Sequence, residues 1–176
     1  MKVLIVGGGI AGLTLAAFLK DTEVSCTIIE KAPDWSHAGF LVSLWDSARD
    51  ILKKIGLSDQ FDAAGSPAHM YSVRTGSGDT IRTIDLSQFC SEYGSAITVV
   101  PRAELHRWLC EKIGVDTIRM GLSIEEISQD ARGVSVMFTN GERAVYDAVV
   151  GADGVHSQVR RCVFRDYVES YENWRV

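Results

Sequence analysis

The sequence predicts an α/β fold in which a parallel sheet is joined to an antiparallel β meander, and three observations predict it. A short β-branched run, Lys2 to Val6 (KVLIV), stops at three glycines, as a strand buried on both faces does. An Ala-rich segment without proline, Ile10 to Lys20, follows as a helix and leads into a second apolar run, Val24 to Glu30 (VSCTIIE), completing a βαβ unit. Far along the chain, Asn140-Gly141 separates two alternating runs, a strong hairpin signal because both residues tolerate the positive φ of a type I′ turn.

The remaining elements follow in order. Ala48 to Leu57 (ARDILKKIGL) carries Ile51, Leu52 and Ile55 at helical spacing, with Gly56 placed to stop the helix. From His69 to Leu86 the texture changes to strands with apolar Tyr71, Val73, Ile81 and Ile84, split by a Gly76-Ser77-Gly78-Asp79 turn. This excursion, at about residues 69 to 95, leaves the α/β pattern. Pro101 to Ile113 returns to helix with Leu105, Trp108, Leu109 and Ile113 on one face. Asp116 to Met120 reads as a short parallel strand, and Ser123 to Gln129, Gly133 to Thr139 and Glu142 to Tyr146 form the meander. Ala148 to Val150 is the last apolar strand, ahead of a helix from His156 to Val163.

Composition narrows the function. With 18 Lys and Arg against 23 Asp and Glu, and no block of either sign, the net charge of −5 argues against a nucleic-acid footprint or a polybasic membrane patch. The uncharged stretch from Val3 to Leu19 is interrupted by glycines and, at 17 residues, is shorter than the roughly 20 needed to span a bilayer, so no targeting or membrane segment is expected. Cys26, Cys90, Cys110 and Cys162 have neither disulfide nor zinc spacing and read as reduced, partly buried thiols. A cytoplasmic location and no metal site follow as expectations.

The chemistry is concentrated at Gly7-x-Gly9-x-x-Gly12, which follows a strand and opens a helix, the context in which this pattern is a dinucleotide fingerprint. Gly7 permits the tight turn, Gly9 lets backbone approach a pyrophosphate, and Gly12 allows close helix-strand packing. The amides of the first helical turn, including Ile10 and Ala11, then face the phosphates. Glu30 ends the second strand 18 residues after Gly12, near the about 20 expected of the carboxylate that accepts from the adenosine ribose hydroxyls. Lys31 follows it. A carboxylate there repels a 2′-phosphate, so the nucleotide is FAD or NAD rather than NADP.

His37, His69, His106 and His156 show no catalytic spacing and read as structural or exposed, and no Gly-x-Ser-x-Gly elbow occurs. Trp35, Trp45 and Trp108 read as core, Trp45 with the better claim to a site. Asp153 is a candidate cap for the helix near His156, since Asp-Gly after a strand is an ordinary turn.

Gly151-Ala152-Asp153-Gly154-Val155-His156-Ser157-Gln158-Val159-Arg160 resembles the GADGxxSxVR segment of the FAD-dependent aromatic hydroxylases, the class A flavoprotein monooxygenases. Arg102, Leu105 and Leu109 resemble that family's R-x-x-L-x-x-x-L, and Ala38-Gly39-Phe40 through Gly56-Leu57 is similar to its glycine-plus-helix segment. The resemblance runs from Met1 to about Arg165. It implies a Rossmann-like FAD-binding domain, with FAD extended along the first helix, Arg102 near its phosphate-ribityl portion and Asp153 near the pyrophosphate. It also implies NAD(P)H as reductant, O2 as co-substrate and an aromatic or polyketide-like small molecule as substrate. No residue is assigned as catalytic acid or base.

The resemblance assigns residues 1–68 and 96–165 to the FAD-binding domain, and 69–95 and 166–176 to the beginning of a substrate-domain sheet. The family's chains are about twice as long, and Tyr171 to Val176 looks like the start of its next strand, so the chain reads as a fragment. Alone it is expected to retain FAD poorly, to have no hydroxylase activity and to associate, with itself or with a missing C-terminal half, through apolar edges at Tyr71 to Ile84 and Trp174. The segment Asp34 to Ala38 lacks an Arg that the family often carries there. Two other readings remain: an FAD-dependent oxidoreductase or reductase without oxygen transfer, and a non-catalytic FAD-binding module.

Overall fold

The computed structural model describes residues 1–35, 40–93 and 96–164. The expected strand at Tyr171 to Val176, the 166–176 portion of the expected substrate-domain sheet and positions 36–39 lie outside them. In chain order the elements begin with β1 (Lys2–Val6), α1 (Ile10–Leu19), β2 (Ser25–Glu30), β3 (Leu41–Trp45), α2 (Asp46–Lys54) and α3 (Ser58–Ala64). Next come β4 (Ser66–Pro67), β5 (Met70–Arg74), β6 (Thr80–Asp85), α4 (Leu86–Tyr93), β7 (Ile97–Pro101) and α5 (Arg102–Ile113). A 3-10 turn at Val115–Thr117 precedes β8 (Ile118–Met120), β9 (Ile124–Asp130), β10 (Gly133–Phe138), β11 (Arg143–Tyr146), β12 (Ala148–Gly151) and α6 (Gln158–Val163).

The chain divides into two compact units, residues 1–36 with 109–176, and residues 37–108. In the first, four parallel strands lie in the order β12-β1-β2-β8. The KVLIV run is central: Val3, Leu4, Ile5 and Val6 are all buried, as a doubly covered strand requires. The helix α1 returns the chain from β1 to β2 and buries Gly12, Leu13, Ala16 and Ala17. The meander, in the order β11-β10-β9, alternates on β10, with Val134, Val136 and Phe138 buried. These side chains form one core with Leu4, Val6, Ile29, Leu122, Ile124 and Tyr146. Each fully buried aliphatic or aromatic side chain there contributes about 1.5–3 kcal/mol.

The Asn140-Gly141 hairpin forms, but not with a type I′ turn. Gly141 has φ +84° and, among the described residues, no non-glycine has positive φ, so Asn140 stays on the ordinary side. The Gly141 amide donates to the Phe138 carbonyl at 2.8 Å and the Phe138 amide to the Glu142 carbonyl at 2.9 Å, which is the three-residue hairpin loop with glycine in the left-handed place. The Asn140 side chain accepts from the Glu142 amide at 3.1 Å, an alternative to left-handed backbone. The strand expected at Asp116 to Met120 begins only at Ile118, since Val115–Thr117 coils into the 3-10 turn after Gly114, whose φ is +90°.

The second unit contains the antiparallel sheet β3-β7-β4 and the hairpin β5-β6. The described part of the expected excursion, residues 69–93, lies within it. Pro101 closes β7 instead of opening a helix, because its partner Leu41 lies across the ladder. Gly56, with φ +74°, ends α2 as expected: its amide donates to the Lys53 carbonyl at 3.0 Å and that of Leu57 to the Leu52 carbonyl at 2.9 Å. The core reading of the tryptophans holds for Trp108, 5% exposed, and fails for Trp45, which is 42% exposed and rests on Phe89 with centroids 5.6 Å apart. Trp35 is half-buried. All four cysteines are free thiols. Among the described residues no helix is long and apolar enough to cross a membrane.

Candidate nucleotide-binding site

The carboxyl ends of β1, β2 and β12 meet in the first unit, which is where open α/β sheets bind ligands. The loop leaving β1 is tied to both neighbouring strands. The Gly7 amide donates to the Ile29 carbonyl at 2.8 Å, and the Ala152 amide donates to the Val6 carbonyl at 2.7 Å.

The three fingerprint glycines are glycine for three different reasons. Gly7 has φ +108°, and a Cβ there would run into the Ala152 carbonyl. A Cβ on Gly12 would run into the Gly7 carbonyl oxygen, so helix and loop could not approach as they do. Gly9 has neither constraint. Its φ of −75° suits any residue, and nothing lies within 4 Å of where its Cβ would stand. Gly9 caps α1, which has no side-chain cap and no acidic residue in its first turn. The Gly9 carbonyl accepts from Leu13 at 3.0 Å, leaving the amides of Ile10, Ala11 and Gly12 in the first turn without intrahelical acceptors. Free amides, a positive dipole end and clear space beside Gly9 suit an anionic pyrophosphate.

Glu30 is built into the same loop. Its Oε2 accepts from the Gly8 amide at 2.8 Å and its Oε1 from the Ala32 amide at 2.9 Å. Two amide bonds fix the carboxylate while leaving further lone pairs available to hydroxyl donors. Asp153 is used differently. Its Oδ1 accepts from the Ser157 hydroxyl at 2.7 Å, and its Oδ2 from the amides of Gln158 at 2.6 Å and Val159 at 3.1 Å. Ser157 in turn accepts from the Arg160 amide at 3.0 Å, so the two side chains cap α6 together.

A cavity of about 350 Å³ gathers most of the candidates: Gly7, Gly9, Glu30, Lys31 and Asp153 all line it. Ile10, Ala11 and Gly12 belong to the adjoining helical turn and are not among its lining residues. Arg102 begins α5 in the second unit, where its amide donates to the Phe40 carbonyl at 3.0 Å. The cavity also takes in His156, Gln158 and Arg161, which the sequence reading did not select. The spacing of Gln158 and Arg161, three apart on α6, was the available signal.

The family model for the FAD binding domain matches residues 1–174. The chain belongs to that family. It is 36% identical over 168 residues to 3-amino-4-hydroxybenzoate 2-monooxygenase of Streptomyces cremeus, covering 94% of this chain and 43% of that protein. It is 31% identical over 180 residues to FAD-dependent urate hydroxylase of Klebsiella pneumoniae, covering 99% of this chain and 47% of that protein. The crystal structure of Klebsiella pneumoniae HpxO complexed with FAD and uric acid superposes with a TM-score of 0.74 at 30% identity, covering 92% of this chain and 41% of that one. The chain therefore spans less than half the length of the curated relatives it matches. For an FAD-binding family the geometry fits: the group needs a pyrophosphate cradle beside a ribose carboxylate, and Gly9 and Glu30 line one cavity.

Proposed function

We propose that this chain supplies the FAD-binding part of a monooxygenase that uses NAD(P)H and O2 to hydroxylate an aromatic or polyketide-like small molecule in the cytoplasm. In this reading residues 1–68 and 96–165 form the FAD-binding domain, and 69–95 and 166–176 begin the substrate-domain sheet. The observation that carries it is Gly9, a fingerprint glycine whose missing side chain serves neither backbone conformation nor packing, beside Glu30 on one cavity.

Gly7, Gly9 and Gly12 shape the loop, and the amides of Ile10 and Ala11 receive the pyrophosphate. Glu30 accepts from the adenosine ribose hydroxyls, and Lys31 adds positive charge beside it. Arg102 approaches the phosphate-ribityl portion. Asp153 holds the second turn in place through its cap on α6, at the pyrophosphate side. Bound FAD would supply the redox chemistry, by which NAD(P)H gives up two electrons and one atom of O2 enters the substrate while the other leaves as water. The names of the relatives, hydroxylases of an aminohydroxybenzoate and of urate, support the aromatic substrate class.

The test is NAD(P)H oxidation by the full-length protein that contains this chain, in the presence of FAD with 3-amino-4-hydroxybenzoate and with urate as probes, followed by mass analysis of the product. Substrate-stimulated oxidation with a product heavier by one oxygen is expected. Oxidation without oxygen in the product would favour the plain oxidoreductase, and no oxidation with FAD bound would favour a binding module.

A further inference from the structure

The fingerprint explains glycine at positions 7, 9 and 12 but leaves position 8 unassigned, and this chain has glycine there too. Gly8 is not among the glycines with positive φ, so its backbone does not require it. The reason is spatial. A Cβ on Gly8 would stand 2.6 Å from Cη2 and 3.3 Å from Cζ3 of Trp35, and 3.2 Å from the Glu30 Cβ. The far edge of the Trp35 ring therefore rests on the bare Cα of the phosphate loop.

That contact closes a clamp on Glu30. One carboxylate oxygen is held by the Gly8 amide of the loop, and the other by the Ala32 amide, in the turn after β2 that leads to Trp35. Trp35 is the side chain that joins those two backbone segments, and it is half-buried between them and solvent. Remove the ring and the loop and the turn keep their amides but lose the apolar contact that sets their separation. The carboxylate then loses its fixed orientation, which governs how well it accepts from a ribose.

We propose that Trp35 is a positioning residue that, through Gly8, orients the Glu30 carboxylate toward the ribose hydroxyls of the adenosine half of the cofactor. The inference rests on the reading of Glu30 as the ribose carboxylate.

The experiment titrates the full chain with ADP and with 2′,3′-dideoxy-ADP, which lacks the hydroxyls. Trp35→Ala should weaken ADP binding by about five- to tenfold, the size of a hydrogen bond to the carboxylate weakened by misorientation and not lost outright, and leave dideoxy-ADP binding unchanged. Trp35→Phe should recover part of the loss. Gly8→Ala should weaken ADP binding in the parent and cost less in the Trp35→Ala background, because its hardest clash, at 2.6 Å, is with the ring, while the 3.2 Å approach to the Glu30 Cβ remains. Circular dichroism and melting of each variant establish that the fold is kept, and should Trp35→Ala not fold, Trp35→Phe and Gly8→Ala carry the comparison. Equal losses for ADP and dideoxy-ADP, or unchanged ADP affinity in folded Trp35→Ala, overturn the role of Trp35 while Glu30→Ala still weakens ADP. If Glu30→Ala itself leaves ADP affinity unchanged, the ribose assignment fails first and the proposal falls with it.

Discussion

Two carboxylates in the first unit show how the same side-chain chemistry takes different work from its surroundings. Glu30 receives one amide from the glycine loop and one from the turn after its own strand, so it joins segments distant in sequence. Asp153 gives both oxygens to the start of α6. Asp153→Ala strips three donors of their acceptor at once, and should cost about 1–2 kcal/mol of stability, the range for losing a helix cap. Asp153→Asn keeps an acceptor oxygen and should recover most of it. Urea unfolding of the two variants checks the ordering, and equal stability of Asp153→Ala and the parent would remove the capping role. In sequence the Asp-Gly pair allowed a cap, a ligand contact or both; the cap forms, and it takes in Ser157, whose hydroxyl completes it.

Elements with their own local signal were legible, and elements defined by distant partners were not. The strands β1 and β2, the helix α1 and the meander each carry periodicity or turn residues within their own span, and they form close to where those signals put them. The strands β3, β4 and β7 went unread because their pairing is non-local: Leu41 meets Pro101 and Trp45 meets Ile97 across the ladder. Helices α3 and α4 are short, and α4 buries none of its residues, so no apolar stripe announces it. The stop of α2 was legible because a left-handed C-cap selects glycine chemically. Gly56→Ala forces a Cβ into φ +74° and should cost about 1 kcal/mol, read as a lower melting temperature with helix content retained. A variant as stable as the parent would show that the Leu52 to Leu57 closure does not depend on that conformation. Candidate site residues followed the same division. The glycines and Glu30 were found by spacing along one chain segment, whereas His156, in the turn before α6, and Arg161, on α6, line the cavity from a segment far from the glycines in sequence.

At the scale of the molecule, a central strand buried on both sides, a helix that starts without a side-chain cap or an acid, and a carboxylate fixed by two amides converge on one cavity in the first unit. We propose that this convergence is a cradle for the FAD pyrophosphate. Gly9 tests it with least ambiguity, because a side chain there meets no protein atom within 4 Å and needs no unusual φ. Gly7 and Gly12 offer no such test, since a Cβ at either would strike backbone and disturb the fold itself. The decisive measurement is a titration of the parent chain and of Gly9→Val with FAD, followed by flavin fluorescence, with circular dichroism and melting recorded on both proteins. Gly9→Val should keep the parent's spectrum, melt only slightly lower for the loss of a good N-cap residue, and lose FAD binding, because the branched side chain fills the space the pyrophosphate takes; a folded Gly9→Val that binds FAD as tightly as the parent would rule the cradle out.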